Sequence, residues 1–258
     1  MTDTHAHLDF LEPEELEEAQ RHLGELRAVL TLGVDPSRWE KTLNLAQGNV
    51  YAAVGLHPTS AHLLSPEVME ALRHYAQKER VRAIGETGLD YYWTPETKAA
   101  QLKALDFQAA LAEELDLPLV LHVRSRDGKA EEDLAGWLLL HRPKRVVLHA
   151  FSGHPALEEA GLKVGAYFSF AGPLTYKKNE ALREAAKRLP EERLLVETDT
   201  PFLPPEPHRG RRNRPHHVRF TLEKLAEVRG LSFAEAEALT DWNAAACFRW
   251  LDPGGTNP

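Results

Sequence analysis

Short apolar, β-branched runs alternate along the chain with longer stretches in which apolar residues recur every three or four positions. The short runs fall at 2–8 (TDTHAHL), 27–33 (RAVLTLG), 50–56 (VYAAVGL), 81–86 (VRAIGE), 118–123 (PLVLHV), 145–150 (RVVLHA), 164–170 (VGAYFSF) and 193–198 (RLLVET). They are nearly continuous in hydrophobicity, as strands buried on both faces must be. The longer stretches fall at 13–23, 36–46, 66–78, 98–115, 127–141, 155–162 and 177–188. In 98–115, for example, Leu102, Leu105, Ala109 and Ala112 share one helical face. Eight strand–helix units in succession predict a closed (β/α)8 barrel, the TIM-barrel architecture, built as a single domain over 1–251. Two further helical patterns, 216–229 and 232–249, follow the eighth strand, and 252–258 (DPGGTNP) reads as a flexible C-terminal tail.

The polar residues that interrupt this pattern sit at the ends of strands. His5 and His7 are two apart on the first run and leave the same face. Glu86 closes the fourth run, His122 lies near the end of the fifth, His149 near the end of the sixth, and Asp199 just beyond the eighth. In a barrel of parallel strands these ends meet at one rim. Charged groups are rarely placed at such positions unless paired or metal-bound. Four imidazoles and two carboxylates exceed what one catalytic metal takes, and suit two ions with a carboxylate between them. Imidazole with carboxylate and no thiolate favours zinc, manganese, iron or cobalt over magnesium. Metal-assisted hydrolysis is the chemistry this set implies.

Composition narrows the alternatives. The chain of 258 residues is 43% hydrophobic and 27% charged, ordinary for a globular protein. Its single cysteine, Cys247, excludes an intrachain disulfide, and MTDTHAHLDF lacks the layout of a signal peptide, so a cytoplasmic location is expected. No apolar run is long enough to cross a membrane as a helix. No GxSxG, GxGxxG or Walker-type motif occurs, so a nucleophilic serine and a nucleotide cofactor are not expected. Net charge is −8, so any grip on nucleic acid must be local. The Pro- and Arg-rich segment 201–215 provides one candidate, with Arg209, Arg211, Arg212 and Arg214 shortly after Asp199.

The segments DTHAHLD (3–9), GLHP (55–58), GETGLDYY (85–92), LHVR (121–124), LHAFSG (148–153), ETDTPFL (197–203) and RGRRNRP (209–215), with a late Asn243, resemble the TatD family of metal-dependent deoxyribonucleases. The resemblance implies that His5, His7 and Asp199 serve one metal, that His122 and His149 serve a second, and that Glu86 bridges them. It implies two divalent ions, with magnesium, manganese or zinc as candidates, and cleavage of DNA phosphodiesters from single-stranded 3′ ends. Two positions depart from the family's pattern: Arg214 stands where a glutamate is usual, and Thr87 where GEIGLD carries isoleucine.

Around this set, His57 ends the third run and is expected to act with Glu86 and Asp199 in catalysis. Arg124, Arg209, Arg211, Arg212 and Tyr91 are expected to bind substrate, with Arg126, Tyr92 and Trp93 close by. Asp3 could orient an imidazole, and Asp9 shares the parity of His5 and His7. Two other readings stay open: a hydrolase of the same type acting on a carboxyl ester or amide such as aminoacyl-tRNA, and a non-catalytic nucleic-acid-binding protein.

Overall fold

A computed structural model describes residues 1–250; the tail expected over 252–258 lies outside the described residues. Eight parallel strands follow one another in a single sheet: β1 (Thr2–Ala6), β2 (Ala28–Gly33), β3 (Val50–Val54), β4 (Val81–Asp90), β5 (Leu119–Arg124), β6 (Val146–Leu148), β7 (Tyr167–Phe170) and β8 (Leu194–Val196). The sheet closes on itself just past β8. His7 N donates to Thr200 O at 2.7 Å and Asp199 N to His5 O at 2.8 Å. The seam is held by Asp3, which takes the Thr198 amide at 2.8 Å and the Thr198 hydroxyl at 2.6 Å. Asp3 is therefore a barrel-closing residue, and it touches no imidazole ring as the sequence reading had allowed. The helices are α1 (Pro13–His22), α2 (Trp39–Leu45), α3 (Pro66–Ala76), α4 (Lys98–Glu114), α5 (Lys129–His141), α6 (Pro155–Val164), α7 (Glu180–Arg188), α8 (Val218–Arg229) and α9 (Phe233–Phe248). Their starts are written locally: Pro66 follows the capping Ser65, and Ser232 forms a reciprocal box with Glu235.

Strand alternation divides the interior into two cores. Outward residues such as Val29, Val54, Ile84, Leu121, Leu148, Phe168 and Val196 pack under the helices. Inward residues, including Leu30, Leu32, Tyr51, Ala53, Val120, Val147 and Leu195, fill the barrel and meet Ala244, Cys247, Phe248 and Trp250. Thus α9 plugs the end from which the strands start. Asn243 fastens it there, donating to the carbonyls of Glu191 at 2.8 Å and Leu194 at 2.9 Å. Burial in this plug pushes the Cys247 thiol up to about 12. With the lower half of the barrel filled by apolar side chains, the polar inward residues are left at the upper rim.

Candidate metal centre

The inward parity of β5, β6 and β8 carries straight on from the core: Val120 to His122, Val147 to His149, and Leu195 to Glu197 and Asp199. On β4 simple alternation would turn Glu86 outward, because Ala83 faces in. Two intervals on β5 (Leu119 to Leu121) instead match three on β4 (Ile84 to Thr87). This bulge adds one residue and re-aims Glu86 into the barrel. β4 then continues to Asp90, four residues beyond the expected end at Glu86. A Cβ at Gly88 would overlap the His122 carbonyl oxygen, so only glycine lets β4 run on against β5. Thr87 points outward, where its hydroxyl accepts from Gln108 Nε2 at 2.8 Å. This departure from the family's pattern belongs to the helix layer, away from the site.

Glu86 stands at the centre and is buried. Its Oε1 lies 3.2 Å from His5 Nε2 and 3.4 Å from His7 Nε2. Its Oε2 lies 2.9 Å from His122 Nδ1, 3.1 Å from His149 Nε2 and 3.5 Å from His57 Nε2. Asp199 Oδ1 completes the first side, 3.3 Å from His7 Nε2 and 3.5 Å from His5 Nε2. His5 and His149 stack with centroids 3.8 Å apart. The sequence reading brought these six residues together, with His57 beside them. Groups compact enough to hold one ion are His5–His7–Asp199, His57–Glu86–His122 and His5–His149–Glu197.

Hydrogen bonds behind the imidazoles show what the donor set fits. His7 Nδ1 lies 3.1 Å from Leu32 O, an acceptor only, so Nδ1 carries the proton and a neutral ring turns a lone pair from Nε2 toward Glu86 and Asp199. His122 Nε2 is 2.9 Å from Asp90 Oδ2, and His149 Nδ1 is 2.8 Å from Glu197 Oε1. Each ring is held by a carboxylate on one side and faces Glu86 with its other nitrogen, the arrangement that orients metal-binding imidazoles. Lone pairs facing carboxylate oxygens at about 3 Å need a cation between them. A proton can stand in for it. Burial opposes the charge on His7, yet its hydrogen bonds to Asp199 and Glu86 push the ring up to about 10. His149 rises well above the usual imidazole range, against burial, through Glu86 and Glu197. Glu86 falls well below the carboxylate range, against burial, through His149 and His5. The donor set therefore fits divalent cations. His57 differs. Its Nδ1 accepts from the Thr59 amide at 3.1 Å, so its neutral form carries the proton on Nε2 and offers a donor to the site.

Asp90 and Glu197 were missed by the sequence reading. Both belong to quoted segments, GETGLD and ETD, but neither ends a strand in the expected boundaries. The remaining expected residues divide. Arg124 stands opposite Asp90, its guanidinium 4.1 Å from the Tyr92 ring centre. Tyr91 turns away, its hydroxyl donating to Asp133 on α5 at 2.8 Å, because the outer face of β4 meets the helices. The loop after β8 is pinned by the buried Asn213, whose amide donates to Thr198 O and Phe202 O, both at 2.9 Å. On that loop Arg212 pairs with Glu15 at 2.8 Å and Arg214 with Glu18 at 2.8 Å, so both reach back to α1. Arg209 lies over the Tyr176 ring, and Arg211 is exposed with no ion-pair partner among the described residues. Asp9 is buried on Arg38 Nη1 at 2.9 Å, outside the cluster.

An imidazole–carboxylate cluster at the C-terminal rim of a (β/α)8 barrel defines the class of metal-dependent hydrolases. The family of TatD related DNases matches residues 2–249, and the chain belongs to that family. The metal-dependent hydrolase YabD of Bacillus subtilis is 35% identical, over 96% of this chain and 98% of its own length. The metal-dependent hydrolase YcfH of Escherichia coli K12 is 35% identical, over 96% of this chain and 95% of its own. The crystal structure of YjjV, a TatD homologue from Escherichia coli K12, superposes with a TM-score of 0.87 at 29% identity, covering 97% of this chain and 98% of that one. The protein is a TatD-family metal-dependent hydrolase.

Proposed function

We propose that the protein cleaves DNA phosphodiesters with two divalent ions, trimming single strands from the 3′ end. The observation that carries the reading is the division of Glu86: one oxygen faces His5 and His7, the other faces His122, His149 and His57. His5, His7 and Asp199 would hold one ion, His122 and His149 the other, and Glu86 would bridge. Magnesium, manganese and zinc are the candidate ions, which when bound lower the pKa of water and offset charge on a phosphoryl group. Asp199 accepts the proton of the attacking water at its carboxylate. His57 donates from Nε2 to a phosphate oxygen, and its Thr59 contact keeps that proton in place. Arg124, Arg126 and Arg211, exposed and with no ion-pair partner among the described residues, are cations available to backbone phosphates.

One observation favours a second reading. Arg212 and Arg214 are neutralised by Glu15 and Glu18, so the arginine-rich loop is a weaker cationic surface than its sequence suggests. A hydrolase of small carboxyl esters or amides would need no such surface. The two separate when purified protein is incubated with magnesium, manganese or zinc and offered labelled single-stranded DNA, duplex DNA, RNA and a model ester. We expect a ladder shortened from the 3′ end on single-stranded DNA. Ester turnover with all strands intact would refute the nuclease reading.

A further inference from the structure

Next to the cluster, the turn after β4 presents an aromatic surface that neither the fold nor the metal chemistry uses. Trp93 is 63% exposed, among the largest apolar exposures in the described residues. It meets Tyr92 edge to face at 4.8 Å. Arg124 lies 4.1 Å from the Tyr92 ring centre and 5.6 Å from that of Trp93, and Arg126 lies 4.7 Å from Tyr92. Both arginines lie against Tyr92 and Arg124 also reaches Trp93, yet most of the Trp93 ring stays open to solvent. A tryptophan kept only for packing would hide its ring, since burial of that area is favourable.

The surface is tied to the cluster by one side chain. Asp90 Oδ1 accepts the amides of Tyr92 at 2.9 Å and Trp93 at 2.8 Å, while its Oδ2 holds His122 Nε2 at 2.9 Å. Gln101 fixes the same turn, donating to Asp90 O at 3.0 Å. Tyr91, anchored on Asp133, sets the direction in which the turn leaves the strand. The aromatic pair is therefore held in register with an imidazole of the cluster and cannot drift as a free loop would.

From this geometry we propose that Tyr92 and Trp93, with Arg124 and Arg126, form a ledge on which one unpaired nucleobase stacks beside the scissile phosphodiester. The ledge selects single strands, because a base inside a duplex has both faces covered by its neighbours. The arginines supply charge to the phosphates on either side of the stacked base. This inference rests on the DNA reading above.

The test compares wild type, Trp93→Ala and Trp93→Phe with manganese on single-stranded DNA, and on strands carrying one abasic site stepped inward from the 3′ end. Trp93→Ala should raise KM about tenfold, with the loss in KM rather than kcat, and Trp93→Phe should recover most of it. At the seated position, removing the base should cost wild type the same factor, and the two proteins should converge on that strand. An unchanged KM, or the same penalty on every abasic strand, overturns the ledge while wild-type cleavage leaves the nuclease reading standing. If wild type leaves all strands intact, the nuclease reading falls and the ledge falls with it.

Discussion

Glu86 divides its two oxygens between imidazoles on opposite sides, so neutralising it removes a shared anchor. Glu86→Gln keeps size and hydrogen bonding but not charge. We expect turnover to fall by about 10³-fold with the circular-dichroism spectrum unchanged, since loss of one charge-stabilising group costs this order. Full activity in this variant would remove Glu86 from the reaction. Asp90→Asn and Glu197→Gln act one step further out, on His122 and His149. Each should weaken metal affinity about 10- to 100-fold, read by metal titration of the apoprotein. The two tiers were unequally legible. His5, His7, Glu86, His122, His149 and Asp199 announce themselves as polar residues in or just past the ends of apolar strands. Asp90 is legible only once β4 is known to run past Glu86, and that extension depends on the bulge and on Gly88, which are tertiary facts.

At the scale of elements, the loop between β8 and α8 is the part whose sequence misleads. Its arginines read as a grip on nucleic-acid phosphates, yet two of them pair with α1, which lies far off in sequence and carries Glu15 and Glu18. Asn213, the unremarked residue among them, holds the loop by its amide. Asn213→Ala leaves buried carbonyls unsatisfied, at a cost of about 1–3 kcal/mol. It should make the Arg209–Arg214 segment sensitive to trypsin, with cleavage followed by mass spectrometry; resistance equal to wild type would deny Asn213 this role. Beside the loop, His22, His216, His217 and His208 adjoin in a chain, tilted, edge to face and stacked in turn, with neighbouring centroids 4.2, 4.6 and 4.0 Å apart. Burial and then His208 push His217 down to about 3, and burial lowers His216. The His217 ring therefore stays neutral in the folded state down to about pH 3, while in the unfolded chain it takes a proton near pH 6.5. The unfolded state therefore binds more protons between about pH 6.5 and 3, and stability falls as pH drops through that window. Trypsin nicking should accordingly rise from pH 7.5 to pH 5.5, and less steeply in His217→Gln, once the enzyme's own pH response is corrected with a peptide substrate.

For the whole molecule, the barrel separates its tasks by end. The lower end is sealed by α9 and an apolar plug, and the upper end concentrates five imidazoles and several carboxylates in little space. The order of strands and helices was legible because every unit repeats the same apolar alternation; the plug was not, since polar residues (Glu235, Glu237, Thr240, Asp241 and Asn243) are spread around α9 and leave no single apolar face to say which surface it covers. This division has a measurable consequence for stability. Without a cation, the upper end must hold protons on buried imidazoles, with His7 kept charged up to about 10 by Asp199 and Glu86. Metal held there would replace those protons and would bind only the folded chain, because the proposed donors come from β1, β4, β5 and the segments just after β1, β6 and β8. At a free metal concentration of about 100 times Kd, the added stability is about 2.7 kcal/mol. For a chain of this size that corresponds to roughly 5–10 °C in Tm. Manganese or zinc should therefore raise the Tm of chelator-treated protein by that amount, with protons released on binding. Glu86→Ala should lose most of the increment, whereas Cys247→Ala, at the opposite end, should lower Tm but keep the increment intact. An equal metal response in wild type and Glu86→Ala would mean that the stabilising ions bind somewhere other than this rim.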